Sequence, residues 1–211
     1  MRSIAILSTT NASRRAFIGT LAVTPLCSGC FYDNWFDLAW DEQVQLPDGR
    51  VLVVAVTHTY QRVSSGLGRF DGTIVMRDST FAFDTGGPHG RVAQKFKGFH
   101  PMFLGETGGA WYAVIYGGYY GKSRQMPGQD WGNNDSPTSQ WAIRLVGDKW
   151  EPMRMADFPR DFSRPNFFFL SGTVKEHVAY DGKLVTLQDK EAWLAKHPPA
   201  VNHFKIIRPR T

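Results

Sequence analysis

A mainly β fold, an antiparallel sheet or sandwich of short strands and hairpins with one short C-terminal helix, is the architecture this chain predicts. Three observations carry the prediction. Phe, Trp and Tyr make up 14% of the residues, a composition suited to pleated, half-buried surfaces. The 21 glycines and 12 prolines are spread along the chain as punctuation. Extended apolar stretches also flank turn sequences repeatedly, which is the signature of hairpins.

In chain order, Trp40, Glu42, Val44 and Leu46 share one side of a first strand, and Leu46-Pro47-Asp48-Gly49-Arg50 supplies the reversal. Residues 51–56 are continuously apolar, which predicts a central strand covered on both faces. Gly66-Leu67-Gly68 opens a loop, and residues 73–77, 80–83 and 92–96 read as three short strands, with a plain turn at 86–90. Residues 102–104 and 110–116 form a second hairpin, while 140–146 and 149–155 form a third, with Trp141 and Trp150 near its ends. Pro165 delays the next strand to 167–170, and Asp181-Gly182 separates two short extended pieces within 174–187. The helix is expected over 188–197, with Thr186 and Asp189 as an imperfect capping box and Pro198-Pro199 as its stop. Residues 201–207 read as a last strand.

The start of the chain reads as an address. Ser13-Arg14-Arg15-Ala16-Phe17-Ile18 fits the twin-arginine export pattern, with Arg14, Arg15 and Phe17 at its defining positions. The diluted apolar run behind it is well short of the roughly 20 residues that span a bilayer. Leu26-Cys27-Ser28-Gly29-Cys30 resembles a lipobox, in which Cys30 is acylated and becomes the new first residue. The expected organisation is a cleaved signal at 1–29, an aromatic tether at 30–39 and a single β-rich domain at 40–211. Cys27 and Cys30 also form a C-x-x-C pair. Their flanks are a signal sequence and an aromatic tail, without the strand and helix a redox pair needs or the second ligand pair zinc needs.

Removing the signal changes the charge argument. The chain carries 24 basic and 19 acidic residues, but Arg2, Arg14 and Arg15 lie in the leader, leaving 21 against 19. A net charge of +2 gives no electrostatic case for nucleic acid. The remaining 182 residues suit one domain, and with Cys30 acylated they contain no disulfide.

The longest stretch without apolar periodicity is 117–140, and long loops on compact scaffolds carry function disproportionately. Tyr119, Tyr120 and Trp131 offer flat faces to a sugar or a partner side chain, and Lys122 supplies charge. Asp130, Asn133, Asn134 and Asp135 lack the alternating spacing of a calcium loop. The six histidines show no H-x-x-x-H or H-E-x-x-H pair, and no phosphate-binding or dinucleotide-binding glycine loop is present. No catalytic residue, metal ligand or cofactor is therefore assigned.

The segment Trp40-Asp41-Glu42-Gln43-Val44-Gln45-Leu46-Pro47-Asp48-Gly49-Arg50-Val51-Leu52-Val53-Val54 resembles the opening of a family of uncharacterised proteobacterial lipoproteins. Tyr119-Tyr120-Gly121-Lys122, Lys149-Trp150 and Pro165-Asn166 are similar to its later features. The resemblance implies anchor and fold, and no activity. The expected role is a membrane-anchored envelope lipoprotein, a non-enzymatic module that binds a periplasmic protein or glycan, with immunity-type proteins within that class. The alternative is a small periplasmic hydrolase acting on a cell-wall component. Phe31 stands where an aspartate would retain the lipoprotein in the inner membrane, so the outer membrane is the expected destination.

Overall fold

The computed structural model describes residues 34–63, 73–117, 140–168, 174–196 and 206, with the side chains of residues 73, 175 and 176 excepted. In chain order the elements are β1 (Trp35–Gln45), β2 (Val51–Val63), β3 (Thr73–Asp84), β4 (Arg91–Lys97), β5 (Phe99–Thr107), β6 (Ala110–Gly117), β7 (Gln140–Val146), β8 (Lys149–Met153), α1 (Val174–Val178), β9 (Leu184–Val185) and α2 (Leu187–Lys196). The mainly β expectation is met. One five-stranded sheet has the order β4-β3-β2-β1-β9, and one four-stranded sheet has the order β5-β6-β7-β8. All pairings are antiparallel except β1 with β9.

The first hairpin shows how the sequence sets the register. Leu38, Trp40, Glu42 and Val44 point inward from β1, and Val54, Val56, His58 and Tyr60 point inward from β2. Between them, the Gly49 N–H donates to the Leu46 carbonyl at 2.9 Å, with Gly49 at a φ of 89° that favours glycine. β1 begins at Trp35, so the strand takes in residues 35–39 of the expected tether.

A single glycine joins the sheets. Gly98, at a φ of 74°, turns β4 into β5, and its N–H donates to the Arg77 carbonyl at 2.6 Å. The inner faces of the two sheets then meet in an aromatic core. Phe81 is fully buried, and its ring lies 5.4–6.0 Å from those of Phe83, Phe96, Trp150 and Phe167. The second sheet is covered on both sides. On its far face, Met102, Phe103 and Val114 pack against Met155, Phe158 and Phe162 from the segment after β8, together with Ile206.

Four expectations are corrected. Residues 51–56 lie centrally in their sheet but are not covered on both faces: Val51 and Val53 are 45% and 55% exposed, since the inner face alone takes Val54 and Val56 into the core. Residues 73–84 form one strand rather than two, because the polar residues between the two expected pieces are accommodated in it. Ser79 is buried and its hydroxyl donates to the Phe99 carbonyl at 2.5 Å, while Asp78 pairs with Lys95 at 2.9 Å. Phe167 and Phe168 are buried but not in a strand, since the Phe168 N–H goes to the Glu42 carboxylate instead of a ladder. The first piece of 174–187 is the helix α1, and only the second is a strand.

The C-terminal helix is capped as expected. The Asp189 N–H donates to Thr186 Oγ1 at 3.1 Å, and the Thr186 N–H donates to Asp189 Oδ2 at 2.8 Å, a reciprocal box built on aspartate.

Candidate functional site

The strand periodicity that buries Val54 and Val56 also buries His58 and Tyr60, two and four residues further along β2. Phe36 on β1 stacks on Tyr60 at 5.4 Å, and Trp40 meets His58 edge-on at 4.8 Å. β5 starts immediately after Gly98 and delivers His100, whose ring centroid is 5.3 Å from that of His58. α1 delivers His177, 5.6 Å from His58 and 5.9 Å from both Trp40 and Tyr60. Three histidines isolated in the sequence thus converge at one end of the sandwich.

The Tyr60 hydroxyl lies within hydrogen-bond reach of His58 Nδ1, at 3.2 Å, and of His177 Nδ1. Burial pushes every imidazole of the cluster towards its neutral form. His58 falls well below its ordinary value, through burial first and then His100 and His177. His177 is pulled down to about 4 by burial, and His100 is lowered by burial and by His177. Burial also raises the Tyr60 phenol. Among the described residues, no group of three or more His, Cys, Asp or Glu is arranged to hold a metal ion.

Beneath this cluster lies a buried ion pair. Glu42, 1% exposed, accepts from Trp40 Nε1 at 3.1 Å, from the Phe168 N–H and from the Lys190 ammonium at 2.7 Å. Lys190 reaches in from α2 and also donates to the Asn166 carbonyl at 2.7 Å. Burial lowers the Lys190 pKa, opposed by Glu42. Asn166 behaves like a short piece of strand along β5: its Oδ1 accepts the Leu104 N–H at 2.9 Å and its Nδ2 donates to the Leu104 carbonyl at 2.6 Å. A cavity of about 10 Å3 between Glu42, His58 and His100 has room for one water.

A second concavity is larger and open. About 360 Å3 lies between the β1–β2 turn, residues 161–166 and α2, with Lys190 at its floor. Leu46, Phe162, Leu187 and Leu194 line it alongside Asp161, Arg164 and Glu191. The volume lies in the range of small-molecule sites.

The residues singled out from sequence, Cys30, Arg14, Arg15, Phe17, Tyr119, Tyr120, Lys122 and Trp131, lie outside the described residues, as does the 66–68 loop. What the structure places is the loop's two anchors. Gly117 pairs with Phe99, and Tyr116 pairs with both His100 and Gln140, so the segment 118–139 leaves and returns at the histidine end of the second sheet. Sequence reasoning missed the histidine cluster. The available signal was parity: His58 and Tyr60 sit in phase with Val54 and Val56. His100 and His177 had no such marker.

No protein-family profile, curated protein or solved structure matches the chain.

Proposed function

We propose that this chain is a membrane-anchored envelope lipoprotein, held by acylated Cys30 and facing the periplasm, whose β domain binds a periplasmic protein or glycan. The observation that supports it most is the anchoring of the 118–139 connection. Its two ends, Gly117 and Gln140, are buried and paired in a sheet packed on both faces, which is a rigid mount for a binding loop. Tyr119, Tyr120, Lys122 and Trp131 are the residues proposed to make the contacts, and immunity-type proteins fall within this reading.

The test uses affinity capture from cell envelopes. Wild type is expected to retain a partner that the Tyr119→Ala/Tyr120→Ala/Trp131→Ala variant loses while its melting temperature is unchanged. Retention of the same partner by that variant would sink the assignment. Fatty-acid labelling that persists in Cys30→Ala would remove the anchor.

The alternative reading, a small hydrolase acting on cell-wall material, draws on one observation. His100 is partly exposed beside two further imidazoles at the loop-bearing end. Turnover of cell-wall fragments that is abolished in His100→Gln would favour it.

A further inference from the structure

The geometry points to an acid-sensitive latch: the His58–Tyr60–His177 hydrogen-bond relay, with His100 beside it, fastens the α1–β9 segment to the end of the sandwich at neutral pH and lets it go on acidification. The inference rests on the fold alone and is independent of the proposed anchor and binding partner.

The relay is one of the segment's attachments: Val185 of β9 is fully buried, and Val174 and Tyr180 pack against the same core. A five-residue helix has no stability of its own, because helix nucleation is unfavourable and so few residues cannot offset it. His177, 4% exposed, carries α1 into the core beside Val174. Beyond it, the chain lies along the edge of β1: Ala39 N–H donates to Asp181 Oδ1 at 2.9 Å, Gly182 N–H to the Ala39 carbonyl at 2.7 Å and Asp41 N–H to the Lys183 carbonyl at 2.9 Å. Tyr180 meets Phe168 edge-on at 4.9 Å.

The relay is sensitive to protons because the Tyr60 hydroxyl has one hydrogen and two imidazole neighbours. One ring must accept from the phenol while the other donates to it, so the accepting ring carries no proton on Nδ1 and the two rings play opposite roles. A proton added at the accepting Nδ1 removes an acceptor from the relay and one added at Nε2 of the donating ring leaves its hydrogen bonds in place, but either brings a positive charge into a buried cluster. The groups facing that charge do not welcome it. On β2 and β5 they are the other imidazoles, with Tyr116 the register partner of His100 on β6. On β1, the Glu42 carboxylate borders the same cavity but is already engaged by Lys190 of α2, by Trp40 and by Phe168. Arg62 lies 4.9 Å over the Phe36 ring that stacks on Tyr60, adding another cation. Burial already disfavours the imidazolium at His58 and His177.

The experiment is amide hydrogen exchange on the full chain in detergent micelles at pH 7.5 and 5.0, corrected for intrinsic exchange. The amides of Gly182 and Asp41 are expected to lose at least tenfold protection at pH 5.0, while Ile115 and Ile143 in the β6–β7 ladder do not. His58→Gln/His177→Gln, in which neither side chain titrates, is expected to reduce that pH effect below threefold. Protection at Gly182 and Asp41 that is flat with pH in wild type, or a tenfold loss that survives in the variant, overturns the latch. If the variant does not fold at pH 7.5, NMR titration of the wild-type imidazoles decides. Native midpoints of His177 and His58 below 6.5, with protection falling as pH drops from 6.5 towards them, support the latch, and midpoints at or above 6.5 overturn it.

Discussion

Glu42→Ala tests the buried ion pair directly. In the native protein the carboxylate takes three donors: the Lys190 ammonium at 2.7 Å, Trp40 Nε1 at 3.1 Å and the Phe168 N–H. Removing it leaves the Lys190 side chain, 11% exposed, with the Asn166 carbonyl as its one partner among the described residues, and strands two N–H groups. Breaking a buried pair from one side costs roughly 3–5 kcal/mol, and the stranded donors fall within that figure. Lys190→Met is expected to cost slightly less, since Trp40 and Phe168 still solvate the carboxylate. The double variant Glu42→Gln/Lys190→Met removes both charges and keeps an acceptor oxygen for Phe168. It should therefore be more stable than the sum of its single variants, Glu42→Gln and Lys190→Met, predicts, by about 1–3 kcal/mol. The assay is urea unfolding followed by tryptophan fluorescence, with the denaturant slope checked for constancy. A cost below 1 kcal/mol for Glu42→Ala, or strict additivity in the double variant, would refute the claim that this pair is buried and mutually dependent.

Three further outcomes are expected. Gly105→Ala would place a Cβ 2.6 Å from Phe103 Cζ and 3.2 Å from Phe162 Cζ, both rings being buried, and should destabilise by about 1–3 kcal/mol in a thermal melt. Thr186→Ala removes the cap that accepts the Asp189 N–H, at a cost of about 1 kcal/mol, visible as faster amide exchange in α2 with the sheets unchanged. Wild-type stability should also fall with acid. The folded-state values of His58, His100 and His177 lie below the unfolded value of 6.5, so the unfolded chain binds more protons in that interval. Their contribution is complete above pH 6.5 and is lost as pH drops towards 4, with His177 alone contributing about 3 kcal/mol. Urea midpoints measured between pH 8 and 4 check this, and a flat profile contradicts it.

The hairpins were legible because each rests on local rules. Alternation put Trp40, Glu42 and Val44 on one face, Leu46-Pro47-Asp48-Gly49 could only reverse the chain, and Thr186 with Asp189 marked the helix start. What was hidden depends on partners distant in sequence. The polar pair at Asp78 and Ser79 looks like a break until Lys95 and the Phe99 carbonyl meet it across the sheet. Phe167 and Phe168 look like a strand until the Glu42 carboxylate takes the Phe168 amide. α1 is too short for periodicity to register. The histidine cluster assembles from two strands of different sheets and a helix, and only the parity of β2 hinted at its first member. The aromatic loop residues singled out from sequence connect to the structure through their mounts, Gly117 and Gln140, beside His100.

The short strand β9 has a role larger than its two residues. Together with Asp181 and Gly182 it covers the outer side of β1 from Ala39 to Glu42, backbone that would otherwise end its sheet with unpaired amides and carbonyls. The opposite border, β4, carries Arg91, Lys95 and Lys97, charges that deter another strand from adding there. The border of β1 carries the exposed Asp37 and Asp41 and has the β9 segment as its cover. Lifting that cover would turn a guarded margin into a template for strand addition, so solution conditions that loosen α1 would also set the molecule's tendency to self-associate.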